Sequence, residues 1–187
     1  MIRSITLVVF LLAYKSFCYQ TDYYWKDYTG IIPDDAFIAG HDYNGENIYV
    51  GLVYLGAEGI IPATITPGEK NTYAAAGSDS VKSQNYIQIL CNQHPGSLKW
   101  IPVNKTDFHF ITMHKQLVRG GIQNSNWLHI GRINHQGSLI VGKIMSGRAP
   151  INDAFMSYVY NEDVKKANSF ETLTFVNLED NELIEPK

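Results

Sequence analysis

The sequence predicts an all-β protein built from two tandem antiparallel β units. Residues 40–51 match residues 120–131 without a gap, and the same offset of 80 residues pairs 59–65 with 139–145. Self-similarity at a fixed period is typical of a repeated structural unit. Short apolar runs between Gly, Pro and Asn turns indicate antiparallel strands, and 12% aromatic residues favour strands over helices. We expect the units to share a core about a pseudo-twofold axis, with strand exchange between them as one arrangement.

The individual strands are predicted from the apolar runs in chain order. Residues 47–55 and 60–65 form the first pair, and Pro62 puts its position at an edge or a bulge. Residues 78–84 are polar and are predicted as a loop, and 92–97 as the linker between the halves. The remaining predicted strands are 73–77, 86–90, 108–113, 116–118, 127–133, 139–144, 154–160 and 170–176.

The N-terminal segment has the composition of a secretory signal peptide. Arg3 precedes an apolar run over residues 5–14, and Ser16 and Cys18 occupy the −3 and −1 positions of a cleavage site. The run falls short of the roughly 20 residues that a membrane span needs. An uncleaved N-terminal anchor is the alternative. The predicted organisation is a signal peptide over 1–18, a first repeat with its N-terminal lead-in over 19–96, a second repeat over 97–177 and an acidic tail over 178–187.

The charge and cysteine content of the secreted chain narrow its partners. Without residues 1–18 the chain keeps 13 basic and 18 acidic residues, which speaks against nucleic acid and against membrane insertion. One cysteine, Cys91, is left, and it is either a buried inert thiol or half of an intermolecular disulfide. Asn104 opens an Asn-Lys-Thr glycosylation acceptor, consistent with secretion.

The sequence carries no arrangement that indicates catalysis. The six histidines show no metal-ligand spacing, and His109 and His114, five residues apart in an alternating stretch, are expected on opposite faces of a strand. No nucleophile elbow is present, and no Gly-rich loop opens a helix that would hold a nucleotide-type cofactor. We therefore expect neither enzyme activity nor a metal or cofactor.

Motifs in both halves resemble the DM-nine repeat family. The first half carries IPDDAFIAGHDYNGENIYVG at residues 32–51, and the second half carries VRGG, LHIGR and VGK between residues 118 and 143. The resemblance implies a secreted all-β fold of two intertwined repeats that acts as a dimeric, mannose-recognising lectin in innate defence. Some relatives carry the labels farnesoic acid O-methyltransferase-like or natterin-like.

The resemblance also implies a sugar site made of an Asp after the glycine pair and a Lys in the following strand. Asp42 matches the Asp position in the first half, where Ala63 stands at the Lys position. Lys143 matches the Lys position in the second half, where Ile122 stands at the Asp position. A carboxylate accepts from sugar hydroxyls and an ammonium donates to sugar oxygens, so strand exchange that joins Asp42 to Lys143 would rebuild the pair.

Other polar residues are alternatives for the sugar site. Asn44, Glu46 or Arg132 would then supply the polar contacts to the sugar in place of the incomplete pair. Structural roles stay open as well: Asp42 as a cap of turn amides, Lys143 as an outward solubilising charge, and Arg132 as a cross-strand partner.

The sequence thus predicts a secreted carbohydrate-binding, pattern-recognition protein. Its expected partners are glycans or microbial surface polysaccharide, and its expected state is a homodimer in which paired weak sites give avidity. The alternative is a non-enzymatic structural or protein-interaction module that has lost sugar binding.

Overall fold

The structure, a computed structural model, describes residues 23–94, 96–147 and 153–176. The predicted signal peptide and acidic tail lie outside these residues.

The described chain is almost entirely antiparallel β-sheet, as predicted. In the first half the strands are β1 Tyr23–Asp27, β2 Ile38–His41, β3 Asn47–Tyr54, β4 Ile60–Ile65, β5 Thr72–Ala76, β6 Asp79–Ser83 and β7 Ile87–Asn92. In the second half they are β8 Leu98–Asn104, β9 Gln116–Leu117, β10 Arg119–Gln123, β11 Asn126–His135, β12 Ser138–Ser146, β13 Ala154–Tyr160, β14 Asp163–Ala167 and β15 Ser169–Phe175. A 3-10 turn, Gly56–Glu58, follows β3, and the short helix α1, Phe108–Thr112, follows β8.

The strands pair in the same order in both halves. The first half runs β1-β7-β3-β4-β5-β6. The second half runs β8-β15-β11-β12-β13-β14. Strand β2 is added beside β3, and β10 is added beside β11. Strand β10 also meets β4, where Ile122 pairs with Ile60, and so joins the halves into one sheet. The pseudo-twofold axis and strand exchange stay predictions.

The two halves differ by one residue in their central hairpin. Val50 pairs with Thr64 between β3 and β4, whereas the equivalent Ile130 pairs with Lys143 between β11 and β12. The ungapped offset of 80 residues is therefore wrong beyond β3, because four residues separate Asn134 from its pairing partner Leu139, whereas five separate the equivalent Tyr54 from Ile60. Thr64, and not Ala63, occupies the first-half position equivalent to Lys143.

Alternation along the strands builds three apolar clusters. On one face of β3, Val53 packs in a cluster made mainly of first-half residues. A second cluster, around Ile144 and Met156, lies in the second half. The opposite faces meet between the halves, where Val50 and Ile130 share a third cluster. This third cluster contains residues of both halves and so packs the two halves against each other.

Two segments depart from the sequence-based prediction. Residues 108–113 were predicted as a strand from their alternating pattern, but they form helix α1, because Phe108, Ile111 and Thr112 point inward at helical spacing. Residues 78–84 were predicted as a loop, but β6 runs through them as a polar strand paired with β5. His109 therefore lies on a helix and not on a strand.

Glycines allow the backbones of β4 and β10 to approach where the halves join. Gly121 has a φ of +95°, and a Cβ there would overlap the carbonyl oxygen of Ile60. Gly59, with a φ of +105°, would overlap the carbonyl oxygen of Ile122 in the same way. A Cβ is therefore excluded at both of these positions.

Three smaller features bear on the sequence-based expectations. Cys91 is buried, and burial raises the pKa of its thiol to about 11, which is the character of an inert thiol. Asn104 is exposed at the end of β8, where its Nδ2 donates to Asp107 Oδ2 at 3.0 Å. Across the described residues, no helix has the length and apolar character needed to cross a bilayer.

Candidate functional site

A cleft of about 550 Å³ lies between the two halves. Its floor is formed by Ile48 and Thr64 from the first half and by Leu139 and Val141 from the second. The Thr64 hydroxyl fastens this floor across the halves, since Oγ1 accepts from Val141 N at 2.8 Å and donates to Val141 O at 3.2 Å. The cleft therefore exists because the repeats are packed together.

One wall of the cleft is the turn between β2 and β3, which holds Asp42. Asp42 Oδ1 accepts from the backbone N–H groups of Asn44 and Glu46, each at 2.9 Å. The backbone N–H of Asp42 also donates to Glu46 O at 2.9 Å. Tyr43 N donates to Ser138 Oγ at 2.9 Å, which ties this turn to the second half. The capping role predicted for Asp42 is present, and it holds the carboxylate in one orientation at the edge of the cleft.

The opposite wall combines β5 and β6 with the turn between β13 and β14. Asn161 and Glu162 are the two central residues of that turn and have φ values of 51° and 65°, as a two-residue hairpin with positive φ at both positions requires. The Tyr73 hydroxyl donates to Glu162 Oε1 at 2.6 Å, and the Ser80 hydroxyl donates to the Glu162 carbonyl. Lys82 Nζ lies 5.3 Å from the centroid of the Tyr73 ring.

The lining of the cleft is polar and aromatic, and its formal charge is negative. Asp42, Glu69 and Glu162 contribute carboxylates, while Lys82 contributes the one ammonium among the lining residues. Tyr43, Tyr73 and Tyr160 contribute rings, and Asn71, Thr66, Ser138 and Asn161 contribute neutral hydrogen-bonding groups. This mixture of rings and convergent polar groups suits a ligand with both an apolar face and several hydroxyls.

Lys143 does not line this cleft. It is 1% exposed, and its Nζ donates to Gln123 Oε1 at 2.5 Å, while Gln123 Nε2 donates to Glu58 Oε2 at 3.3 Å. Burial lowers the pKa of the Lys143 ammonium, Glu58 opposes that shift and Lys166 adds to it. The outward, solubilising position considered for Lys143 is wrong, because the side chain points into the junction of the two halves.

The structure keeps Asp42 and Lys143 apart. Tyr43 contacts Ser138, and Lys143 lies five residues farther along β12, which at ~3.3 Å per residue is about 16 Å of strand. At the equivalent place in the second half, Gln123 is buried and accepts from Lys143. In the first half the equivalent Tyr43 lines the cleft and is 75% exposed. One of the two equivalent positions is thus open and the other is filled.

The remaining candidate residues lie outside the cleft. Asn44 and Glu46 are exposed on the same turn as Asp42 but do not line the recess. Arg132 pairs with Glu171, with Nε 2.6 Å from Oε2, and its guanidinium also donates to Ala39 O at 2.5 Å. Its Cζ lies 4.6 Å from the centroid of the Trp100 ring. Arg132 therefore has the cross-strand structural contacts that were considered for it.

Sequence reasoning did not single out Thr64, Tyr73, Lys82, Ser138 or Glu162 as cleft residues. Thr64 is the one polar residue of the otherwise apolar strand β4, and this was the available signal. Glu162 gave no signal in the sequence, because its place at the cleft depends on how β13 and β14 pack against β5 and β6.

Within the described ranges, no group of three or more His, Cys, Asp or Glu side chains is placed to hold a metal ion.

These features define an all-β binding module with two equivalent halves and a polar cleft between them. Residues 42–162 match the DM9 repeat, which is more than half of the chain, and the protein belongs to the DM9 repeat family. This confirms the resemblance in the sequence, and membership points to a carbohydrate-binding or interaction module.

Comparison with solved structures supports the fold. The chain resembles the crystal structure of the nematode sperm cell motility protein MFP2B, with a TM-score of 0.53, 12% identity, and coverage of 90% of this chain and 49% of that chain. The chain therefore spans about half the length of that protein, and the likeness concerns the fold alone. A search of curated proteins found no match.

Proposed function

We propose that the protein binds carbohydrate in the cleft between its two halves. The observation that carries the proposal is the convergence of the Asp42 carboxylate, the rings of Tyr43, Tyr73 and Tyr160, and the Glu162 turn around one recess. A sugar presents C–H faces that pack on tyrosine rings and hydroxyls that donate to carboxylates. Asp42 is suited to this because Oδ1 is used by the turn, while Oδ2 accepts no hydrogen bond from the described residues.

The charge of the cleft indicates which sugars it accepts. Three carboxylates and one ammonium line it, so a sialylated or sulfated glycan would meet net repulsion. We therefore propose neutral hexoses as ligands, with mannose as the first to test because the family resemblance implies it. In this arrangement Asp42 acts without Lys143.

The test is calorimetric titration of the protein with mannose and other neutral hexoses, together with a glycan array at high protein density. Asp42→Asn keeps an oxygen that caps the turn but removes the charge, so the turn persists. We expect it to weaken binding by roughly tenfold, since a hydrogen bond to a charged group contributes ~1.5–3 kcal/mol. Glu46→Gln is the matched control, because it removes a carboxylate from the same turn outside the cleft, and it should bind as the unmodified protein does.

Two outcomes would contradict the proposal. One is an array with no signal above background for any sugar. The other is equal sugar affinity in Asp42→Asn and in the unmodified protein, which would place the ligand elsewhere.

The cellular setting belongs to the same proposal. Residues 1–18 direct secretion, Asn104 carries a glycan, and the chain forms a homodimer whose paired sites bind microbial surface polysaccharide by avidity in innate defence. The exposure of Asn104 at the end of β8 supports the proposed glycosylation at this residue. Analytical ultracentrifugation and peptide-N-glycosidase treatment of the protein from culture medium test the dimer, the glycan and the secretion.

An interaction module without sugar binding is the second candidate. It is favoured by the separation of Asp42 from Lys143, since the acidic and basic positions implied by the resemblance do not meet. This candidate predicts that Asp42→Asn and Lys143→Met leave partner binding unchanged.

A further inference from the structure

A second, smaller recess lies at the opposite end of β3 from the cleft between the two halves. It has a volume of about 250 Å³, and its lining is formed by Asp27, Leu52, Tyr54, Ile60, Tyr86 and Gln88. We propose that this recess binds an organic ammonium ion, such as a trimethylammonium head group, between the rings of Tyr54 and Tyr86. The proposal is independent of sugar binding in the cleft.

Strand register brings the lining residues onto one face of the sheet. Asp27 is opposite Gln88 in the β1–β7 pair, and Gln88 is opposite Leu52 in the β7–β3 pair. Tyr54 follows Leu52 by two residues, so it shares that face, and its pairing partner is Ile60 on β4. Val50, Leu52 and Tyr54 share one face of β3. At Val50 this face packs against the second half, whereas at Tyr54 it is exposed to solvent.

The two tyrosines form two walls at a right angle. Their ring centroids are 6.1 Å apart, and the ring planes make an angle of 87°. Tyr54 is 51% exposed and Tyr86 is 78% exposed. Rings of this exposure gain little from packing on the protein, and perpendicular ring faces around a small recess suit a compact cation.

The backbone of Tyr86 is held in a conformation that its side chain disfavours. Its φ is 54°, which is rare for a bulky residue and costs on the order of 1–3 kcal/mol relative to an ordinary conformation. The Tyr54 N–H donates to the Tyr86 carbonyl at 3.1 Å and so fixes this geometry. A glycine would fit this backbone conformation better, so the tyrosine at this position costs stability.

The charge at the recess has the sign that a cation requires. Asp27 is the one formally charged residue in the lining, and Gln88 Nε2 donates to its Oδ1 at 3.4 Å. A carboxylate at the rim attracts an ammonium ion and repels an anion, while the leucine and isoleucine side chains contact its methyl groups. Recognition therefore combines one full negative charge with two ring faces.

The second half uses the same backbone positions differently. Arg132 and Glu171 occupy the places of Leu52 and Gln88, and they form the ion pair described above. Asn134 stands at the place of Tyr54. Because the pair fills that face, the aromatic recess is a property of the first half alone.

The test is a titration with tetramethylammonium and choline chlorides, followed by the ring resonances of Tyr54 and Tyr86 in NMR spectra. 3,3-Dimethylbutan-1-ol serves as the uncharged isostere of choline, and sodium chloride controls for ionic strength. We expect saturable shifts with both ammonium ions, and affinity at least roughly tenfold weaker for the isostere.

Variants locate the binding. Tyr86→Gly removes a ring at a position where glycine fits the backbone, so the protein stays folded, and ammonium affinity should fall by roughly tenfold. Tyr54→Phe keeps a ring face and should bind within about threefold of the unmodified protein. Asp27→Asn should weaken binding severalfold, whereas Asp34→Asn, a charge change at an exposed loop residue, should not.

Three results would overturn the proposal. They are equal affinity for choline and its uncharged isostere, undiminished ammonium binding in Tyr86→Gly, and saturable binding of neutral sugars at these two rings in place of ammonium ions.

Discussion

At the residue scale, Lys143 matches the lysine position of the sugar site that the family resemblance implies, but its side chain is buried and does not line the cleft. Its ammonium is buried and donates to the buried Gln123, which in turn donates to the exposed Glu58. A buried charge is costly unless it is hydrogen-bonded, so the three side chains act as one unit. The sequence supplied the residue, but its partner Gln123 could not be predicted, because it comes from β10 and depends on how the halves join.

Gln123→Leu tests this unit through stability. The substitution leaves the Lys143 ammonium buried without its hydrogen-bond acceptor, so we expect a loss of about 2 kcal/mol in the free energy of unfolding by urea. The double variant with Lys143→Met removes both polar groups and should recover most of that loss. Lys99→Met, at an exposed position of β8, is the control and should change stability by less than about 0.5 kcal/mol. Additive effects in the double variant would show that the two residues are not coupled.

His129 makes stability depend on pH in the mildly acidic range. Burial lowers the pKa of His129 to about 4, and the neighbouring His109 contributes in the same direction. His129 Nδ1 and His109 Nε2 are buried with no hydrogen-bond partner among the described residues, and Phe108 packs against both rings. The neutral form is therefore the form that the fold accepts.

Acid should destabilise the protein through this histidine. The folded-state pKa lies below the unfolded value of 6.5, so the unfolded chain takes up the proton first as pH falls. Its contribution is complete above about pH 6.5 and is lost between there and about pH 4, by up to about 3 kcal/mol. His129→Gln should flatten urea stability across that window, while His114→Gln, at an exposed position, should leave the slope as it is. An unchanged slope in His129→Gln would contradict the assignment.

At the element scale, the sequence predicted the strands that are rich in buried apolar residues. The predicted 60–65 and 154–160 coincide with β4 and β13, since each is a mostly apolar run whose central residues are buried on both faces of the sheet. Strands β6 and β14 were not predicted, because they are mostly polar and bury few side chains. They are strands because they hydrogen-bond to β5 and β13. Helix α1 was misread because five residues are too few to separate helical spacing from alternation.

The β4–β10 junction gives the element-scale prediction. Gly121→Ala adds a Cβ that overlaps the Ile60 carbonyl, at a φ of +95° that alanine also disfavours. We expect it to lower the free energy of unfolding by at least about 3 kcal/mol. Gly45→Ala is the matched control, because its φ is +84° but no atom lies within 4 Å of the new Cβ, so only the backbone term of ~1 kcal/mol remains. Equal losses in the two variants would mean that the close approach adds nothing.

At the scale of the whole molecule, one strand order is used twice with different results. The first half leaves an open cleft near Thr64 and an aromatic recess near Tyr54, while the second half fills the equivalent places with Lys143 and with the Arg132–Glu171 pair. The repeat could be predicted from the glycines and apolar positions, because these determine backbone pairing. The difference between the halves could not, because it follows from the one-residue shift and from contacts across the junction.

The apolar cluster shared by the two halves implies that they unfold together. Ile130 is fully buried there and meets Val50 from the other half, so neither half keeps its core when the other unfolds. Ile130→Ala should cost about 3 kcal/mol and should lower the hydrogen-exchange free energies of amides in both β3 and β11 by the same amount. Ile31→Ala, at a side chain that is 78% exposed, should shift neither set. Lowered protection in β11 with unchanged protection in β3 would show that the halves are independent folding units, and the cleft between them would then be a contact surface that opens without global unfolding.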